Sequence, residues 1–416
     1  MKLLIVSPSI PYPLVNGGHV AQFSMLRYLQ DYMDIDYCCV VWSTEQLARV
    51  DALKKELPKI NFIVFNQITA ETKKPSSVFV SVYTKFLKIV SIKNNKNKIK
   101  VHDDFKDRQE FLLNIKAEAY IDQLQNLLAR DCWDIIQTEF FEMIELVSLF
   151  PKKAKTIFVS HESKTLRIIS ARANSSAKDS YKDYLIAVNK QIEVSFLKEY
   201  NKVIVFSEED KSRLKDFGAE NIAVSPFSIL NPQSDAIVSD QYDTLIFLGG
   251  SNHFPNVEGL NWFIENIFPS IYDQYKIPLL VVGNWNENSI STYKEGAVKY
   301  VGFVENLESI FKNAILIVPV RIGNGIRTKI LLGLKMKVPI ISTSLGFEGL
   351  NLMDYENIFV ADTLEEFRNK INFIIKSEGD EVNTVLEKGF QFFEKNYSLN
   401  VLGAIRLNIY KELING

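Results

Sequence analysis

The sequence predicts an α/β protein of two similar halves, each a mostly parallel sheet covered by helices. Three observations predict it. Short apolar runs of buried-strand type alternate with amphipathic helical patterns along most of the 416 residues. A glycine pair follows the first apolar run of each half, Gly17-Gly18 and Gly249-Gly250. Between the halves the pattern loosens into Ser225-Pro226-Phe227-Ser228, Asn231-Pro232-Gln233-Ser234-Asp235 and Ser239-Asp240-Gln241-Tyr242-Asp243. At ~100–200 residues per domain the length fits two domains, with the boundary at 225/226.

In the first half, residues 3–6 read as a buried strand, followed by a proline-rich turn and Asn16-Gly17-Gly18. A helix is expected after the glycines, with Ala21, Met25 and Leu29 on its apolar face. Further strands are expected at 36–42, 61–65, 134–137, 156–159 and 202–206. Ser207 caps a helix whose first-turn acids Glu208, Glu209 and Asp210 suit the helix dipole, and Gly218 suits its stop. In the second half the strand at 244 is followed by others at 278–283, 300–303, 314–318, 339–342 and 358–360. Parallel sheets bind ligands at the carboxyl ends of their strands, so the residues to weigh are those just after them.

One such stretch is Val318-Pro319-Val320-Arg321-Ile322-Gly323-Asn324-Gly325-Ile326-Arg327-Thr328-Lys329. Pro319 ends a strand, Gly323 and Gly325 permit positive φ and close approach, and a helix follows. Amide groups at a helix start beside Arg321, Arg327 and Lys329 suit a diphosphate. A strand-to-helix turn with solvated basic residues is the alternative. His161 stands just after the strand at 156–159, on the same edge as Gly17 and Gly18. Imidazole there suits proton work, or a structural hydrogen bond. His19, His102 and His253 are placed less tellingly. The dinucleotide fingerprint GxGxxG is absent, which argues against a nicotinamide or flavin oxidoreductase.

Composition narrows the classes. Hydrophobic residues make up 47% and charged residues 24%, a balance that supports a large core. A net charge of −2, from 48 basic and 50 acidic side chains, offers no global field for nucleic acid. The three cysteines Cys38, Cys39 and Cys132 have no metal-ligand spacing, and a reducing compartment is expected. The first apolar run is too short for a signal peptide and no stretch reaches ~18–20 apolar residues, so a cytoplasmic protein is expected. Residues 78–100 pair an apolar helical face with lysines, six of them and no acid between 84 and 100. Such a segment can lie on the inner face of an anionic membrane, each nearby lysine contributing about 1 kcal/mol, or be a core helix followed by a solvated loop.

Taken in order, Asn16-Gly17-Gly18, Gly249-Gly250-Ser251-Asn252-His253-Phe254-Pro255-Asn256-Val257 with Trp262 downstream, Val301-Gly302-Phe303-Val304 and the basic loop from Pro319 to Lys329 resemble GT-B glycosyltransferases. They are similar to the retaining group called glycosyl transferases group 1, or family 4, over most of the chain. The resemblance implies GT-B architecture: two Rossmann-like domains across a cleft, 1–225 on the acceptor side and 226–395 binding the nucleotide sugar. A last helix at about 396–416 crosses back to the first domain. It further implies a nucleotide-diphosphate sugar donor, no cofactor, no required metal, and a glycan or lipid-linked acceptor.

By position, Gly302 and Val304 would border the base, Gly250 and Ser251 would lie near the phosphates, and Gly323, Asn324, Gly325, Ile326 and Thr328 would face the diphosphate and sugar. Arg327 and Lys329 would neutralise the departing phosphates. Gly17 and Gly18 would approach from the opposite wall, and His161 matches a family histidine close to the donor sugar. Many relatives carry two glutamates eight residues apart; here the positions hold Asn324 and Leu332. Leucine cannot bond a ribose, and a lost charged hydrogen bond of about 1.5–3 kcal/mol weakens donor binding by one to two decades. The alternative function is therefore a catalytically weakened relative that binds a nucleotide or a partner enzyme.

Overall fold

The computed structural model describes residues 1–14, 16–68, 116–173, 180–229, 241–286, 289, 291–304, 307–323, 326–377 and 380–416. The lysine-rich stretch 78–100, Asn324 and Gly325 lie outside the described residues.

The first sheet holds β1 (Lys2–Ser7), β2 (Asp34–Val41), β3 (Asn61–Asn66), β4 (Ile135–Glu139), β5 (Lys155–Val159), β6 (Lys202–Val205) and β7 (Ile222–Val224). They are parallel and lie in the order β3-β2-β1-β4-β5-β6-β7. The second sheet holds β8 (Thr244–Leu248), β9 (Leu279–Val282), β10 (Val298–Gly302), β11 (Ala314–Val318), β12 (Ile340–Ser342) and β13 (Phe359–Val360), again parallel, in the order β10-β9-β8-β11-β12-β13. With helices on the sheets, the chain has the two Rossmann-like domains of a GT-B fold. The expected strands appear within two residues of their predicted ends. The three-residue edge strand β7 was not expected, because so short a run has too few side chains to show a period.

Both faces of each sheet are covered, which is why the strands read as continuous apolar runs. Leu3 and Ile5 pack in one core with Ala21, Met25 and Leu29, while Leu4 and Val6 point to the other face, against Ile136, Phe158 and Val203. In each sheet the strand order reverses beside the first strand, between β1 and β4 and between β8 and β11. A crevice opens at such a switch point, and there stand the loops after Ser7, Glu139, Leu248 and Val318.

One boundary differs from expectation. The first helix, Gly17–Leu29, begins at the glycines rather than after them, because the Asn16 side chain caps it by accepting the His19 N–H at 2.9 Å. The helix expected at about 396–416 is Leu399–Asn415, set off from the preceding helix, Asp380–Tyr397, by Ser398 in an extended conformation. The last of them packs on the first helix. A Cβ on Gly403 would stand 2.2 Å from the Tyr28 ring, so only glycine allows that approach. Farther along it, Arg406 is 2% exposed and donates from Nε to Ser225 Oγ at 2.8 Å and from Nη2 to the Ser225 carbonyl at 3.1 Å.

Candidate active site

The two domains meet where the predicted motifs stand. A Cβ on Gly17 would lie 3.3 Å from the Thr328 methyl group, so the first helix and the helix Thr328–Lys335 touch across the cleft through a glycine. Beside them Arg213 pairs with Glu348 at 2.5 Å, and Gly349, at φ +83°, leaves room for Ser207. The glycines after β1 act by lacking a side chain: a Cβ on Gly18 would stand 2.8 Å from Phe140 Cε1.

His161 follows β5 as its place in the sequence implied. Its Nε2 lies 2.5 Å from Glu139 Oε2, and the two side chains are 8% and 4% exposed. The Phe140 ring stacks on the imidazole at 3.8 Å and 13°, and Phe206 meets it edge-on at 5.2 Å. Phe140 has φ +67° and ψ 152°, a region that costs a residue with a side chain about 1–3 kcal/mol and persists where the surroundings enforce it. Neither Glu139 nor Phe140 was singled out from the sequence. A glutamate closing an apolar strand has no periodic signature, and positive φ at a phenylalanine cannot be read from composition.

On the facing wall, Arg327 is the residue before the Thr328–Lys335 helix. Burial lowers its pKa, while the carboxylates of Glu162, Glu348 and Asp210 act in the opposite direction. Burial also raises the pKa of Glu162 and of Asp210. Lys329 donates from Nζ to Asn256 Oδ1 at 3.0 Å and lies 4.4 Å from the Phe247 ring centre; Asn256 Nδ2 in turn donates to the Gly250 carbonyl at 3.1 Å. Burial, with the Arg327 charge added, pushes Lys329 down to about 7. Desolvation, followed by Arg327, Lys329 and Arg167, pushes His253 down to about 4. Burial is the main cause in each case, and for Lys329 and His253 the neighbouring cations add to it. Asn256, which holds the lysine, lies in the stretch from Gly249 to Val257, and its role there is set by a contact 73 residues away in sequence.

The remaining predicted positions divide. Gly323 has φ +93°, as a loop turning its amides requires, and Ile326 packs against the core. Gly250 lies under Asn284, whose carbonyl would be 2.9 Å from an added Cβ. Ser251 braces the same turn: its N–H donates to the Asn284 carbonyl at 2.9 Å and its hydroxyl accepts the Asn286 N–H at 3.0 Å. Gly302, at φ +74°, ends β10 with open space where a Cβ would be, followed by Phe303, 54% exposed, and a half-buried Val304. Leu332 packs half-buried against the core, so its replacement of a glutamate is accommodated by apolar neighbours. Arg321 lies over Trp262, 4.7 Å from the ring centre, and 3.6 Å from Glu258. No helix among the described residues is long and apolar enough to cross a membrane.

Residues 242–377 match the sequence model of the family described as glycosyl transferases group 1. A similar curated protein is an uncharacterized 44.6 kDa protein in the cps region of Klebsiella pneumoniae, 22% identical over 95% of this chain and 96% of its own. Among solved structures, sucrose-phosphate synthase from Thermosynechococcus elongatus superposes with a TM-score of 0.66 at 13% identity over all of both chains. HepE from Anabaena, in complex with UDP, superposes with a TM-score of 0.61 at 12% identity over 99% of this chain and all of its own. A mutant of TarM from S. aureus, in complex with fondaparinux, α-GlcNAc-glycerol and UDP, gives 0.60 at 12% over 98% of this chain and 99% of its own.

Proposed function

We propose that this chain is a retaining, metal-independent glycosyltransferase that moves a sugar from a nucleotide-diphosphate sugar to a glycan, lipid-linked or other surface-polysaccharide acceptor. The meeting of Arg327 and Lys329, at a glycine loop and helix start on one wall, with His161 beyond Gly17 and Gly18 on the other supports it most strongly. The match to glycosyl transferases group 1 and the ligands of HepE and TarM support the donor class.

The chemistry follows from the charges. Breaking the anomeric bond builds negative charge on the departing diphosphate while the sugar becomes oxocarbenium-like, and preorganised cations and amide dipoles lower that barrier. Arg327 and Lys329 do here the work a divalent ion does elsewhere. The acceptor attacks the face that the diphosphate leaves, and a leaving-phosphate oxygen takes the acceptor's proton, so configuration is retained. Gly302 and Val304 border the base, Gly250 and Ser251 the phosphates, and residues 323–328 the diphosphate and sugar. The setting is the cytoplasm, with residues 78–100 resting on the inner face of the membrane where a lipid-linked acceptor lies.

A thermal-shift screen over nucleotide sugars tests this. A true donor at 100 times its dissociation constant stabilises by about 2.7 kcal/mol; no shift with any nucleotide sugar, and no transfer by the purified chain, would remove the proposal. Leu332 favours one second reading, a weakened relative that binds a nucleotide or a partner enzyme. Stabilisation by a nucleotide without any sugar transfer would select it.

A further inference from the structure

Beneath the His161 ring a buried chain of side chains runs to the last helix. Tyr410 OH donates to Gln137 Oε1 at 2.5 Å, Gln137 Nε2 donates to Glu139 Oε1 at 2.5 Å, and Glu139 Oε2 faces His161 Nε2 at 2.5 Å. Tyr410, Gln137 and Glu139 are 0%, 2% and 3% exposed. With Glu139 as a carboxylate, chemistry fixes every direction in it. A carboxylate only accepts, so Gln137 must turn its amide nitrogen to Glu139 and its oxygen to Tyr410, which then donates. The other carboxylate oxygen requires a proton on His161 Nε2. A neutral imidazole so held has a bare Nδ1, and Nδ1 is a buried atom without a hydrogen-bond partner among the described residues. Phe140, held at φ +67° by its surroundings and stacked on the ring, prevents the imidazole from turning to another partner.

We propose that Tyr410, Gln137 and Glu139 are positioning residues that set the tautomer of His161 and present its Nδ1 to the donor sugar. The last helix then does more than span two domains: its tyrosine closes the set that orients the histidine. That Nδ1 meets a sugar rests on the proposed sugar transfer; the tautomer does not.

The test uses the full chain labelled with 15N-histidine, in which only four histidines give signals and His161→Gln assigns one of them. The ring of His161 is expected as the Nε2–H tautomer. Glu139→Gln should invert it: Gln137 keeps its bond to the new amide oxygen, and the new NH2 faces Nε2, which must then accept. Tyr410→Phe, which removes only a hydroxyl, should admit a fraction of the Nδ1–H form. It should also lower kcat roughly ten- to a hundredfold while the donor KM stays within twofold. In a His161→Ala background Tyr410→Phe should change kcat no further. An unchanged tautomer in both variants, or losses that multiply in the double variant, would overturn the proposal. If the wild-type chain transfers no sugar, the proposed function fails and the tautomer signals still decide this one.

Discussion

The charge of Lys329 should depend on whether the cleft holds an anion. Burial and the neighbouring Arg327 push it from its ordinary 10.5 down to about 7, and its nearest partners are an amide oxygen and an aromatic ring. A nucleotide-diphosphate sugar brings two negative charges, and a paired ammonium returns toward its ordinary value. Binding therefore takes up a proton between those limits. At pH 8 a group with a pKa of 7 is about nine-tenths neutral. Complex formation should then take up roughly 0.9 proton, and affinity should fall close to tenfold per pH unit above 7. The bridging diphosphate of a nucleotide sugar is esterified at both ends and does not titrate there, so the protons are the protein's. Calorimetry at pH 8 in two buffers of different ionisation enthalpy counts them. Lys329→Arg keeps a fixed charge, and should bind without uptake and with affinity flat from pH 7 to 9. Equal apparent enthalpies in both buffers for the wild type would refute the reasoning.

Three further outcomes follow from the same geometry. Because Lys329 is depressed in the folded state, the unfolded chain binds more protons between pH 7 and 10.5, and stability rises with pH across that window; Lys329→Met should raise the apo melting temperature and abolish the proton-linked binding, both read by calorimetry. Arg327→Ala should cost at least a hundredfold in kcat with an unchanged circular dichroism spectrum; full turnover would take Arg327 out of the diphosphate site. Gly403→Ala forces a Cβ against the Tyr28 ring and should destabilise by about 1–3 kcal/mol in urea unfolding, whereas an unchanged midpoint would show that the helix yields freely.

The parallel strands and the glycines after them were legible because buried strands are dense in apolar side chains and each switch-point loop needs a residue without a Cβ. His161, Arg327 and Lys329 were legible as titratable or cationic groups just beyond strand ends. What escaped was anything held by tertiary contact. Glu139 is 22 residues from the histidine it faces, and Gln137 is 273 residues from the tyrosine that donates to it. Phe140 has a backbone conformation that its surroundings impose. Gly17 looked like a loop residue but is the first residue of a helix, because the helix start is decided by the Asn16 cap and the glycine by the approach of Thr328.

The last helix carries a consequence for the order of synthesis. Ser225 and Gln137 belong to the first sheet and its edge, yet their partners Arg406 and Tyr410 are made only after both sheets. A nascent chain that has completed both sheets still lacks the helix that covers the first. Of the two domains, the one translated first is thus finished after the other, and a chain terminated before that helix leaves Ser225 and Gln137 without these partners.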